Sequence, residues 1–303
     1  MNGIWVDTDF GFDDLWALLL LRHLRCPVAG VSLVAGNVPL AQVTANAIGA
    51  RRAYGFDWPV WQGAARPLRG RPENAEGVLG HAGMRTRGAL LPALPSGSIP
   101  TGALGALKDW LRSGAGNPRE ILALGPLTNI ARLLQETPEA SGGISRLVWM
   151  GGSAGAGNHT PMAEFNATAD AEALAYVAGS GLRLDIVDLE FCRRVTFGQD
   201  DLPETDRLTN DLLGGYLDIA LERGRDGMAI YDPLAAMAVA APESIGFLPC
   251  SITVSTRADR SHGATRISTA CASRTRIAAR AHADLARACL QALRREALDG
   301  QGQ

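Results

Sequence analysis

The chain has 303 residues, 47% of them apolar, enough for one large α/β domain or two small ones with a sizeable core. A formal charge of −2 and a pI near 6.2 give no electrostatic reason to expect a nucleic acid polymer as partner, and no apolar run approaches the ~20 residues that a membrane span needs. Five cysteines, Cys26, Cys192, Cys250, Cys271 and Cys289, are odd in number, scattered and without CxxC spacing, so they read as reduced and mostly buried thiols. With no charged-then-apolar leader at the start, a soluble cytoplasmic protein is expected.

The first strand is expected at Gly3–Val6, an apolar run that stops at Asp7-Thr8-Asp9-Phe10-Gly11-Phe12-Asp13-Asp14. Four carboxylates then run directly into Leu15–Leu21, a stretch of good helix formers, with Gly11 permitting the turn and Asp13 or Asp14 able to cap the helix. Val28–Ala35 reads as a second strand ending at Gly36-Asn37, Leu40–Tyr54 as a helix closed by Gly55, and Val60–Gln62 as a third strand. Residues 63–101 break this rhythm with Gly, Pro and Arg, and so read as a lid loop in which His81 could fold over a ligand.

A helix over Ala103–Arg112, a strand over Glu120–Leu124, a Gly125-Pro126 turn with a helix to Glu136, and a strand over Arg146–Met150 follow. The glycine-rich run Gly151–Gly157 leads into Asn158-His159-Thr160-Pro161 and opens no helix, which argues against a dinucleotide loop. Further on come a helix at 170–178, a strand at 182–187, a helical lid region at about 203–230 and a helix from Pro233 to Ala241. Late strands are expected at 252–254 and 265–267, and an arginine-faced amphipathic helix at 281–298. With no linker-like break, the alternation predicts a single domain: an open, mostly parallel sheet with helices on both faces.

Polar residues just after strands collect into one set: Asp7, Asp9, Asp13, Asp14, Asn37, Asn158, Glu164, Asn166 and Asp232. Packed carboxylates repel and lose solvation, so the group needs a cation or shared protons, and the all-oxygen donor set suits calcium. The spacing is not an EF-hand, because Phe12 and Leu18 stand where that loop needs its glycine and its glutamate. Acids and amides without a nucleophile motif suit a neutral, hydroxyl-rich ligand.

These motifs resemble the inosine–uridine-preferring nucleoside hydrolase family. The family's DxDxGxDD signature is met by Asp7–Asp14, followed in family order by Gly36-Asn37, Gly125-Pro126-Leu127-Thr128-Asn129, Met150-Gly151-Gly152, Ala163-Glu164-Phe165-Asn166 and Asp232-Pro233. Phe10 replaces the family's usual proline, a change expected to spare the acids beside it. The resemblance implies a Rossmann-like single domain and calcium-dependent cleavage of ribonucleosides to base and ribose. It implies a calcium ion held by Asp9, Asp14, Asp232 and the Leu124 carbonyl, with Asp7 supporting from behind and Asp9 as base for a calcium-bound water. Asp13, Asn37, Asn158, Glu164 and Asn166 would hold the ribose, with Met150 beneath it, and Phe165 and His81 are further substrate-binding candidates. A homodimer or homotetramer is also implied.

The best-known branch places a histidine acid where this chain has Tyr231. Three readings are open: Tyr231 is the acid, His81 or His159 supplies the proton, or Tyr231 stacks on the base. Arg223 and Arg225 fall where a second lid would approach the base, while His23, His262 and His282 read as structural or exposed. Two rivals remain. A haloacid-dehalogenase-type phosphohydrolase would need a phosphate-binding lysine, and Lys108, the sole lysine, sits in an expected helix. A nucleoside- or ribose-binding protein without turnover would keep the pocket alone.

Overall fold

The computed structural model describes residues 3–93, 98–114, 118–269 and 272–299. Eleven strands form in chain order: β1 (Ile4–Thr8), β2 (Val28–Leu33), β3 (Val60–Gln62), β4 (Glu120–Ala123), β5 (Arg146–Met150), β6 (Leu184–Val187), β7 (Thr196–Phe197), β8 (Met228–Ala229), β9 (Ile245–Val254), β10 (Thr265–Thr269) and β11 (Arg276–Ala281). Nine of them make one sheet in the order β10-β9-β11-β6-β5-β4-β1-β2-β3. β1 to β6 are parallel and β11 continues that direction, whereas β9 runs antiparallel to both of its neighbours.

Strand side chains alternate between two cores. Trp5, Ile121, Ala123, Leu147, Trp149, Leu184 and Ile186 pack on one face, with the helices Ala103–Ser113, Thr128–Glu136 and Ala171–Gly179. Val6, Leu122, Val148, Met150 and Val187 pack on the other, with the helices Phe12–His23, Leu40–Tyr54, Arg207–Leu221 and Asp232–Ala240. This period of two with helices on both sides is the expected doubly covered sheet. The strand order reverses between β4 and β1, so the chain leaves those two strands in opposite directions and opens a crevice at their carboxyl ends.

Local reasons are visible at the boundaries. Gly55 closes the second helix at φ +69°, and its N–H returns to the Arg51 carbonyl. The cap at the first helix differs from expectation: Gly11 is the cap residue, and Asp14 accepts its N–H at 2.8 Å from one turn inside. The largest departure is at the C-terminal end. The expected helix 281–298 forms as two helices, Leu285–Gln291 and Arg295–Asp299, and its first residue, Ala281, ends β11, a strand with no signal in the sequence. Arg276–Ala281 is captured between β9 and β6, where ladder pairing outweighs the helical propensity of alanine and arginine.

The segment 63–101, expected as a lid, is less irregular than its composition suggests. It carries a short helix at Glu76–Leu79 and is tied to the helix Arg207–Leu221 and the turn after it: Arg85 pairs with Glu222 at 2.6 Å through both guanidinium nitrogens, and Arg87 with Asp218 at 2.7 and 3.0 Å. Residues 94–97 of the expected lid lie outside the described residues, as does Cys271. The other four cysteines are free thiols. Among the described residues, no helix is long and apolar enough to cross a membrane.

Candidate active site

The crevice between β1 and β4 is floored by acids. Asp7 is completely buried on β1; its Oδ1 accepts the Ser32 hydroxyl and, at 2.7 Å, the Asn129 amide, while its Oδ2 has no hydrogen-bond partner. Asn129 stands in the first turn of the helix Thr128–Glu136 that follows β4 and also reaches the Leu33 carbonyl and the Ala64 N–H, so one amide ties three connections together behind Asp7. Asp9 accepts the Asn37 backbone N–H at 2.7 Å and its side-chain amide at 3.1 Å. That approach requires Gly36: a Cβ there would lie 2.1 Å from Asp9 Oδ2.

Asp14 accepts the Thr8 hydroxyl as well as the Gly11 N–H, and it shares hydrogen bonds with Asp9 and Asp232. Carboxylate oxygens of Asp13, Asp14 and Asp232 come within 4.8 Å of one another, a group that could hold a metal ion. Phe10 carries the turn between Asp9 and Gly11 at φ +50°, a conformation closed to proline, so the residue in the family's proline place is accommodated by a different backbone and the acids still converge.

Burial dominates the electrostatics. It pushes Asp7 and Asp13 up to about 7, with the Asp14 charge adding to the rise in Asp13. Asp9 and Asp232 are raised well above the carboxylate range, first by burial and then by the neighbouring acids, and Asp14 is raised by burial too. Protein alone therefore favours shared protons here. A divalent cation would reverse that preference, and three converging hard oxygens with an orphaned fourth acid behind them fit such an ion.

Above this floor opens a cavity of about 240 Å³ lined by Asp13, Asn37, Leu124, Met150, Asn158, His159, Glu164, Phe165, Asn166, Tyr231 and Asp232. Asp7, Asp9 and Asp14 are not in its wall and lie beneath. Glu164 caps the short helix Phe165–Ala169 and accepts three backbone N–H groups, from Gly152, Asn166 and Ala167. Asn166 donates to the carbonyls of Leu124 at 2.9 Å and Met150 at 3.0 Å, and Asn158 accepts the Phe165 N–H. Tyr231 lies directly before Asp232, and burial pushes its phenol up to about 12.

Some expected residues are placed elsewhere or differently. His81 is exposed, stands 3.4 Å from Glu76 and does not line the cavity. The tight metal-type group contains Asp13 where the family resemblance implies Asp9. Tyr216 was absent from the sequence reading: it is buried on the helix Arg207–Leu221, lines the cavity and donates to Asp13 Oδ2 at 3.1 Å. Only its helical spacing marked it, and that spacing reads equally as core.

The architecture so far is an open α/β protein whose ligand crevice, at the switch point of its sheet, has an acidic floor. Comparison with known proteins gives it a family. Residues 4–290 match the model of the inosine-uridine preferring nucleoside hydrolases, and the chain belongs to that family, a group of hydrolases acting on N-glycosyl compounds. It is 36% identical over 268 residues to the non-specific ribonucleoside hydrolase RihC of Escherichia coli O1:K1, covering 86% of each chain, and 35% identical over 268 residues to RihC of Shigella boydii serotype 18, again with 86% of each covered. Solved structures agree in fold. A plant nucleoside hydrolase, PpNRh1, superposes with a TM-score of 0.82 at 23% identity over 98% of both chains. A purine-preferring ribonucleoside hydrolase from Gardnerella vaginalis does so with 0.83 at 19% identity, over 96% of this chain and 99% of that one.

Proposed function

We propose that the cavity binds a ribonucleoside and that the protein hydrolyses its N-glycosidic bond, releasing ribose and the free base. The observation that carries this reading is the group Asp13, Asp14 and Asp232 at the floor of a cavity whose walls combine amides, acids and apolar side chains with Arg193, Arg223 and Arg225. Such walls suit a sugar diol at one end and a flat heterocycle at the other.

Calcium is the proposed ion, held by Asp9, Asp14, Asp232 and the Leu124 carbonyl; when bound it supplies Lewis acidity and a fixed seat for vicinal hydroxyls. Asp9 belongs in this set through its hydrogen bond to Asp14, and Asp13 belongs to the sugar because it faces the cavity while Asp9 lies below. Asp7, held by Ser32 and Asn129, fixes the strand end from behind. Asn37, Asn158, Glu164 and Asn166 reach the remaining hydroxyls, Met150 lies under the ring and Phe165 beside it.

Asp9 takes the proton of the attacking water, with Asn37 orienting its carboxylate through two hydrogen bonds. As the glycosidic bond lengthens, C1′ gains oxocarbenium character, and the surrounding carboxylates stabilise that positive charge. The Tyr231 phenol, pushed up to about 12, holds its proton too tightly for efficient acid work at neutral pH, so it serves as a wall against the base. A homo-oligomeric, cytoplasmic enzyme is the proposed setting.

The test is a panel of purine and pyrimidine nucleosides assayed for free ribose, with and without a chelator. Ribose release that calcium restores supports the assignment. Phosphatase activity with magnesium and no ribose release would instead favour the phosphohydrolase rival, and tight binding without turnover over hours would favour a binding protein.

A further inference from the structure

Hydrolysis of an N-glycoside leaves the bonding electron pair on the departing base, and something in the cavity must hold that charge. Most polar groups in the wall are already committed. Arg193 donates to Glu190 at 2.5 Å and to the carbonyls of Ala156 and Gly157 at 2.8 Å each. His159 is tied to Glu73 at 2.6 Å, and the Asn166 amide donates to two carbonyls.

Arg225 is different. It lines the cavity, it is exposed, and its side chain makes no hydrogen bond or ion pair with any described residue. Tyr231, the proposed wall against the base, lines the same cavity. Its backbone is fixed: Gly224 ends the helix Arg207–Leu221 region at φ +69°, Gly224 N–H returns to the Leu221 carbonyl at 2.9 Å, and Arg225 N–H to that of Ala220 at 3.1 Å. This double return is the left-handed helix stop that only glycine adopts without strain. Ile219 and Met228, which flank the turn in sequence, also line the cavity and complete an apolar slot for a flat ring. Arg223 also lines the cavity and is exposed, but it precedes the glycine stop, whereas Arg225 follows it on the segment that leads to Met228 and Tyr231.

We propose that Arg225 is the leaving-group residue of this site, its guanidinium donating hydrogen bonds to the acceptor edge of the base and carrying the negative charge that the base gains. This inference rests on the nucleoside hydrolase reading of the cavity. As C1′–N breaks, the electron pair moves to the base and water oxygen bonds to C1′. The proton lost by the water goes to Asp9, Arg225 keeps its own proton, and the base anion is protonated afterwards by solvent. Arginine suits this part because it stays charged at any relevant pH and presents a planar fork of donors. Binding of the base would remove water from the guanidinium and strengthen the contact.

The experiment compares wild type, Arg225→Gln and Arg225→Lys on inosine, uridine and p-nitrophenyl β-D-ribofuranoside, whose nitrophenolate leaves without help. The expected result is a fall in kcat of roughly 10- to 100-fold for R225Q on both nucleosides, below the 10²–10³ typical of a buried oxyanion donor because this one is exposed. Activity on the nitrophenyl riboside should change by less than about threefold, and R225K should recover part of the nucleoside rate by restoring charge without the fork. An equal loss on all three substrates, a rise in KM with kcat unchanged, or no change at all would each overturn the assignment. Wild type inactive on every one of the three would overturn the hydrolase reading itself, a distinct failure.

Discussion

Asp185 and Asp14 are both completely buried carboxylates, one inside β6 and the other a turn into the first helix. Asp185 is gripped by two arginines: Arg146 donates through Nε at 2.5 Å, and Arg276 donates through Nε at 2.6 Å and through a second nitrogen to the other oxygen. Both guanidinium groups lie over the Phe247 ring, at 5.6 and 5.2 Å, and Arg146 also reaches the Ala238 carbonyl. Asp14 has none of this. Its neighbours are a hydroxyl, a backbone N–H and the acids Asp9, Asp13 and Asp232, and no cationic side chain pairs with it among the described residues. The protein neutralises a buried acid with its own cations where the acid ties strands together. At the crevice it withholds them, which leaves the position of a positive charge open to something that binds.

The comparison breaks most sharply under substitution. Asp232→Asn or Asp9→Asn should lower ribose release from inosine by on the order of 10³-fold or more, since each removes an acid that acts on the reacting centre. Asp185→Asn, assayed well below its melting temperature, should keep most of the activity. A D232N enzyme with a tenth of wild-type rate would mean that the crevice acids are structural after all.

Stability should respond in the reverse sense. Asp185→Asn leaves two arginines facing each other without a counter-charge, at a cost of about 3–5 kcal/mol, readable as a lower urea midpoint. Asp14→Asn in chelator-treated protein should be neutral or stabilising, because it relieves repulsion. In wild type, calcium at 100 times its Kd should add about 2.7 kcal/mol. Differential scanning should find that calcium shift lost in D9N and retained in D13N, and the opposite pattern would move the ligand role to Asp13.

A pH series sharpens the same contrast. Asp7 and Asp13 have folded-state values raised to about 7 from the ordinary carboxylate 3.8, so the folded metal-free protein holds more protons than the unfolded chain between those limits. Their stabilising contribution is complete below the unfolded value and is lost as pH rises toward 7, by about 1.4 kcal/mol per unit for each proton involved. Denaturation of chelated protein from pH 4 to 7 should therefore fall in midpoint, and added calcium should flatten the slope. A flat profile without metal would place the acids in water. The smallest effect is expected at Tyr231: Y231F should change kcat on purine nucleosides less than about threefold, since the ring wall survives, whereas loss of all activity would restore the phenol as acid.

Much of this was legible in the chain. The carboxylates of Asp7–Asp14 span the end of β1, the turn and the start of the first helix, where local hydrogen bonds from Thr8 and Gly11 organise them. The parallel order of β1 to β6 followed from apolar runs punctuated by Gly and Pro turns. β11 was hidden, because alanine and arginine carry a helical preference that only its two neighbouring strands override. Tyr216 was hidden for a related reason: a buried tyrosine on a helix looks like core until its hydroxyl is found 3.1 Å from Asp13.

What the sequence determined by itself is therefore whatever short-range chemistry dictates: the acid-rich turn, the alternation of strands and helices, the glycine stops and the family. Tertiary structure alone decided which distant groups meet. It brought Asp232 to Asp13 and Asp14 across more than two hundred residues, placed Arg225 in the cavity wall and gave Asp185 its two arginines while pairing none, among the described residues, with the crevice acids. The physical reason is that a charge is stabilised or penalised by its surroundings in space, and those are assembled only when the sheet closes its ladder and buries both faces.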